Sequence, residues 1–151
     1  MRVVIQRVKR ASVSIDGSIY SSIGAGMMIL VGVETGDTET DVDWLVKKTA
    51  GLRIYDDEAG VMNLSLSQLP ELEVLAVSQF TLTASTRKGN RPSYIRAAGH
   101  DVSVPMYELY CQQLALALGR EVKRGVFGAD MQVELINDGP VTIIIDSRLK
   151  E

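Results

Sequence analysis

The sequence predicts one α/β domain in which mixed, largely antiparallel sheets are covered by two main helices. Three observations point there: most of the chain falls into short β-rich runs parted by turn signals, only two segments carry helical spacing, and those two do not alternate with strands as in a doubly wound parallel sheet. A length of 151 residues, 46% of them hydrophobic and 23% charged, suits a single core. No composition break, linker or repeat interrupts residues 1–151, which are therefore taken as one domain.

Residues 2–15 read as a strand, because Val3, Ile5, Val13 and Ile15 alternate with polar neighbours. Asp16-Gly17 is a two-residue hairpin signal leading into 18–23. After a turn at Gly24-Ala25-Gly26, the apolar run Met27 to Val33 predicts a strand buried on both faces. Asp37 or Thr38 offers an N-cap, acids fill the first turn, and Val42, Leu45, Val46 and Thr49 recur at helical spacing. A helix is thus expected over about 39–50, with Gly51 as its stop. Leu52 to Tyr55 reads as a short strand closed by the acidic turn Asp56 to Gly60, and Val74 to Leu82 as a longer strand. Thr83 to Pro92 breaks the pattern and reads as a polar, basic loop. Ser103, with Pro105 just inside, is expected to open the second helix, with Met106, Leu109, Tyr110, Leu114 and Leu118 inward and Gly119 at its end. Strands near 121–126, 130–137 and 141–146 complete the chain.

Composition excludes several kinds of chemistry. The single cysteine, Cys111, cannot form an internal disulfide, and with one histidine, His100, it cannot furnish an ordinary Cys/His zinc site. No metal and no organic cofactor is expected. The longest uncharged stretch, Gly17 to Val33, is too polar and too short to span a bilayer, and the charged start of the sequence does not resemble a signal peptide. A cytoplasmic protein without membrane contact is expected. Sixteen Lys and Arg against nineteen Asp and Glu leave a net charge of −3, yet Arg2, Arg7, Lys9 and Arg10 cluster in one segment and Arg87, Lys88, Arg91 and Arg96 in another. Such clusters fit either ordinary solvated surface or a phosphate-contacting patch on an otherwise acidic protein.

A nucleophilic triad would have to draw its imidazole from His100, which lies in an apparent turn, and Cys111 sits mid-helix as a small inert thiol. Val77 to Thr83 ends an apolar strand with hydroxyls and an amide; alternation sends Ser78, Phe80 and Leu82 to one face and Gln79, Thr81 and Thr83 to the other. Asp138-Gly139 between two β runs reads first as a hairpin turn, although Pro140 directly after it removes a backbone donor and permits a cis bond.

Ser78-Gln79-Phe80-Thr81-Leu82 together with Asn137-Asp138-Gly139-Pro140-Val141-Thr142 closely resembles the paired signatures of the D-aminoacyl-tRNA deacylases. The likeness extends through Met1 to Val8, Met62 to Ser65, Thr86 to Gly89, Arg91 to Ser93 and Phe127 to Val133, with departures at Gln68 to Glu71 and Gly99 to Asp101. The resemblance implies a barrel-like layered core and a homodimeric hydrolase that cleaves D-aminoacyl-tRNA, and glycine mischarged on tRNA, while sparing L-aminoacyl esters. It implies that Gly139-Pro140, as a Gly-cisPro element, filters chirality in the partner subunit's site, with Arg7 locking it and Asn137 supporting it. Ser78, Gln79, Phe80 and Thr81 would form the catalytic wall: backbone N–H groups for the ester carbonyl, Thr81 positioning, Gln79 touching the adenosine, Phe80 and Met131 shaping the adenine end. The terminal ribose 2′-hydroxyl would help activate water, and Arg87, Lys88 and Arg91 would contact tRNA phosphates. Three other readings stay open at this point: a non-catalytic tRNA-binding module, a related editing deacylase for another mischarged tRNA, and a hydrolase built on His100.

Overall fold

The computed structural model describes residues 1–150, in the order β1 (Arg2–Ile15), β2 (Ser18–Ile23), β3 (Gly26–Gly32), α1 (Glu39–Ala50), β4 (Arg53–Asp56), β5 (Met62–Ser65), β6 (Glu73–Ser78), α2 (His100–Leu118), β7 (Lys123–Arg124) and β8 (Gln132–Asp146). Short 3₁₀ turns lie at Leu66–Gln68 and Phe80–Thr83. One six-stranded sheet holds β2-β1-β3-β6-β7 with β8 on the other edge of β1, and β4-β5 form a separate hairpin. The pairings of β1 with β2, β3 and β8 are antiparallel, whereas β3-β6 and β6-β7 are parallel.

The long β1 is the organising strand: its first half pairs with β3 and its second half with β2, so the sheet curls around it. The curl brings the two ends of the path together. There the seam is closed by side chains, Ser21 Oγ donating to the Arg124 carbonyl at 2.8 Å and Lys123 Nζ to the Ser22 carbonyl at 2.7 Å. The barrel-like α/β domain expected from the sequence is therefore present. Gly26 marks where β3 passes closest to β6, since a Cβ there would lie 1.9 Å from the Glu73 carbonyl oxygen.

Two apolar clusters fill this shape. Met27, Ile29 and Val31 of β3 pack with Val3, Ile5 and Ala76 against Val42 and Leu45 of α1 and Tyr107, Tyr110 and Leu114 of α2. Met28, from the other face of β3, joins Val8, Val13, Ile23, Leu75 and Val77 inside the curl. An unbroken apolar run needs two buried faces, and β3 has them.

α1 matches its expected span, opened by a capping box between Thr38 and Asp41 and closed by Gly51. α2 begins three residues before the expected Ser103: Gly99 caps it in extended conformation and His100 is its first residue. Pro105 consequently sits inside the helix and removes one hydrogen bond. Its buried face is Ser103, Met106, Tyr107, Tyr110, Cys111 and Leu114, while Leu109 and Leu118 are only half-buried. Burial pushes the Cys111 thiol up to about 11, so it stays protonated and inert.

Four further expectations are corrected. Met62–Ser65, not anticipated as a strand, pairs with β4 around a turn in which the Asp57 carboxylate accepts the N–H groups of Ala59 and Val61. The strand expected over 121–126 shortens to Lys123–Arg124. The run expected to continue to Leu82 ends at Ser78, because the Thr83 hydroxyl bonds back to the Phe80 carbonyl at 2.8 Å and coils the chain into a 3₁₀ turn. The two-face alternation read for Ser78 to Thr83 is thereby lost. Finally, Asp138-Gly139 is not a hairpin turn, since β8 runs through it from Gln132 to Asp146.

Candidate active site

β6 delivers its last residue, Ser78, to the mouth of the barrel, held in register opposite Val31 of β3. Gln79 extends the ladder by one bond, its N–H donating to the Val31 carbonyl at 2.7 Å, before the chain turns. The turn is braced from outside: Arg2 donates to the Leu82 carbonyl at 2.8 Å while pairing with Asp146, and the Arg96 guanidinium donates to the Thr83 carbonyl at 3.1 and 3.2 Å. The Gln79 amide donates to the Thr81 hydroxyl at 2.5 Å. Among the described residues, nothing accepts from the N–H groups of Phe80 or Thr81, the first two of the turn.

A cleft of about 500 Å³ opens here. Ser78, Gln79, Phe80 and Met131 line it, and Thr81 does not. Phe80 is 54% exposed and meets Tyr94 edge to face at 5.0 Å, so it forms the rim and is no core aromatic. Ala97, Ala98, His100, Ser103, Phe127 and Asp130 line it too, and none of these is among the site residues expected from the sequence. Phe127 and Asp130 fall within a segment of the family likeness; the two alanines and Ser103 carry no motif. The ring of His100 stands edge-on to Phe127 at 5.4 Å. It lines the cleft, but among the described residues no carboxylate or hydroxyl is bonded to it as in a catalytic triad.

Arg87, Lys88 and Arg91 project from an exposed loop whose neck is closed by paired backbone bonds between Ser85 and Ser93, each 2.9 Å. The loop follows directly on the 3₁₀ turn. Arg96, of the same basic cluster, is committed to the turn and to Glu34 instead.

Gly139 and Pro140 lie elsewhere. Gln6 pairs with Thr142 and Val8 with Asn137, so Arg7 alone faces residues 138–141 and the extra length bulges outward. The bulge is exposed, and the Gly139-Pro140 peptide is cis. Gly139 adopts φ +151°, and a Cβ there would meet the Val141 nitrogen at 2.8 Å, so the position requires glycine. Arg7 ties the bulge to the hairpin, donating to the Asp138 and Ile54 carbonyls at 2.7 Å each. Asn137 closes it from within, accepting from the Val141 N–H at 2.7 Å and donating to the Val141 carbonyl at 3.2 Å. Within one protomer neither Gly139 nor Pro140 lines the cleft. No group of residues suited to hold a metal ion is found among the described residues.

This fold is shared with solved structures. The solved structure described as a probable eukaryotic D-amino acid tRNA deacylase shares the fold with a TM-score of 0.83 at 19% identity, covering 95% of this chain and 97% of its own. A second, described as the c-Myc DNA Unwinding Element Binding Protein, superposes with a TM-score of 0.90 at 38% identity over 97% of this chain and 98% of its own. The D-aminoacyl-tRNA deacylase of Bacteroides fragilis (strain YCH46) is 62% identical over 151 residues, the whole of both chains. Residues 4–146 match the D-Tyr-tRNA(Tyr) deacylase family, and the chain belongs to it.

Proposed function

We propose that the protein hydrolyses the ester joining a D-amino acid to the terminal ribose of tRNA, acts also on glycine mischarged on tRNA, and spares L-aminoacyl esters. The observation that carries this reading is the pairing, in a chain of this family, of a cleft ending on free N–H groups with an exposed, pinned Gly139-Pro140 bulge. The ester carbonyl sits against the turn, where the N–H groups of Phe80 and Thr81 receive the charge that develops as water adds. Collapse of that adduct breaks the ester C–O bond and releases amino acid and tRNA.

Thr81 is a positioning residue. Its hydroxyl is engaged by the Gln79 amide and bonded to no base, so water is the nucleophile, assisted by the tRNA's terminal ribose 2′-hydroxyl. Gln79 contacts the adenosine, Phe80 and Met131 shape its pocket, and Arg87, Lys88 and Arg91 take acceptor-stem phosphates. The chirality filter is supplied across a homodimer in the cytoplasm: one protomer's Gly139 and Pro140 carbonyls hold the α-amino group in its partner's cleft and close the side on which an L side chain would project. Exposure of both residues, and of Val133, Ile136 and Ile144 on the same strand, supports that docking.

The test is deacylation of D-tyrosyl-, L-tyrosyl- and glycyl-tRNA in EDTA. Loss of the D and glycyl esters alone, surviving His100→Ala, is the expected result. Binding of tRNA without release of either tyrosyl ester would replace the reading with a non-catalytic tRNA-binding module. Mixing Phe80→Ala with Gly139→Ala protein tests the shared site: two defective variants regain activity together only if cleft and bulge come from different subunits.

A further inference from the structure

We propose that Ser103 reads the terminal base of the substrate, its hydroxyl donating to a ring nitrogen of adenine where α2 borders the cleft. This rests on the reading that an aminoacyl-adenosine end occupies the cleft. Ser103 is 6% exposed, lines the cleft, and its Oγ is, among the described residues, one of few buried side-chain polar atoms with no hydrogen-bond partner. Serines in a first helical turn commonly bond back to the chain, and this one does not. An unpaired buried hydroxyl destabilises the free protein, so its presence is explained by a partner that arrives with the substrate.

The surroundings select the kind of partner. Ala97, Ala98 and the edge-on rings of His100 and Phe127 line the same cleft as Ser103, so apolar and aromatic surface is available there to a heteroaromatic ring. Among the described residues no lysine or arginine lines the cleft, and the one carboxylate that does, Asp130, opposes a phosphate there. Gly99 provides no side-chain cap to the first N–H groups of α2, and His100, the first residue of that helix, lines the cleft. A neutral planar base with acceptor nitrogens meets all of these conditions. The phosphates are left to the basic loop that follows the 3₁₀ turn.

The experiment compares wild type and Ser103→Ala on D-tyrosyl-tRNA ending in adenosine or in its 1-, 3- or 7-deaza analogue, alongside the Tm of each free protein. Wild type is expected to show a KM raised roughly three- to tenfold by one analogue only, the range of a single neutral hydrogen bond, with kcat little changed. Ser103→Ala should show the same rise on the natural substrate, indifference to that analogue, and a Tm no lower than wild type. An unchanged KM in Ser103→Ala, equal sensitivity of both proteins to every analogue, or a lowered Tm with unchanged KM overturns the assignment while wild-type turnover leaves the deacylase reading standing. If wild type releases no D-tyrosine, that reading fails by itself. Calorimetric binding of free adenosine to both proteins then decides the role of Ser103, with equal affinities overturning it.

Discussion

Replacing Arg7 with alanine removes the one side chain that faces the Gly139-Pro140 bulge across the sheet. Its guanidinium is 13% exposed and makes two 2.7 Å bonds to backbone carbonyls, of Asp138 and Ile54, with a weaker approach to Asp56 at 3.4 Å. Each charge-assisted bond to a carbonyl contributes about 1.5–3 kcal/mol, so their joint loss costs about 3 kcal/mol or more. Were that loss felt by the whole domain, Tm would fall by about 6–12 °C at this size. The bulge, however, is exposed and local, and Asn137 still holds it from within. A large part of the loss should therefore appear as freedom of the two carbonyls and not as global unfolding. Side-by-side deacylation of D- and L-tyrosyl-tRNA reads this directly: discrimination should fall at least about tenfold, equivalent to roughly 1.4 kcal/mol, mainly by slower release of the D ester. Arg7→Lys keeps the charge but not the fork that spans two carbonyls, and should fall between wild type and alanine. A variant with lowered Tm and undiminished discrimination would show Arg7 to be a strut of the fold only, and the argument from the bulge would be wrong.

Arg87→Ala with Lys88→Ala should weaken tRNA binding and flatten the slope of log affinity against log salt by about 1.5, at roughly 0.7–0.9 per phosphate contact; an unchanged slope moves the tRNA path off this loop. Thr81→Val should reduce kcat less than about tenfold, because its hydroxyl only accepts from Gln79; abolished turnover with intact binding would restore a side-chain nucleophile. For Asp146, burial raises the carboxyl pKa, but the Arg148 N–H, the Arg2 guanidinium and the Leu149 N–H together hold it below the ordinary 3.8. Its stabilising contribution is thus complete above that value and lost as pH falls through the lowered one, so the Tm gap between wild type and Asp146→Asn should be constant near neutrality and close in acid, as followed by circular dichroism.

The elements legible in the chain are those governed by neighbours in sequence. Asp16-Gly17, the Thr38/Asp41 cap with Gly51, and the two-sided apolar run of β3 each hold their whole instruction within a dozen residues, and each appears where expected. The family, too, was legible, because two motifs kept their order across a full-length likeness. Three decisions belonged to the tertiary structure. Asp138-Gly139 has the local chemistry of a hairpin turn, yet β1 pairs with the chain on both sides of it, at Gln6 with Thr142 and at Val8 with Asn137, and so turns it into a bulge. β6 ends at Ser78, where a 3₁₀ turn fastened by Arg2 and Arg96 takes over from a run of β-forming residues. The cleft joins Ala97, Ala98 and Ser103 to Phe127 only because the barrel brings separate segments to one mouth. Periodicity and turn chemistry report a residue's near neighbours, whereas a site of this kind is made by long-range pairing, which decides what each local preference becomes.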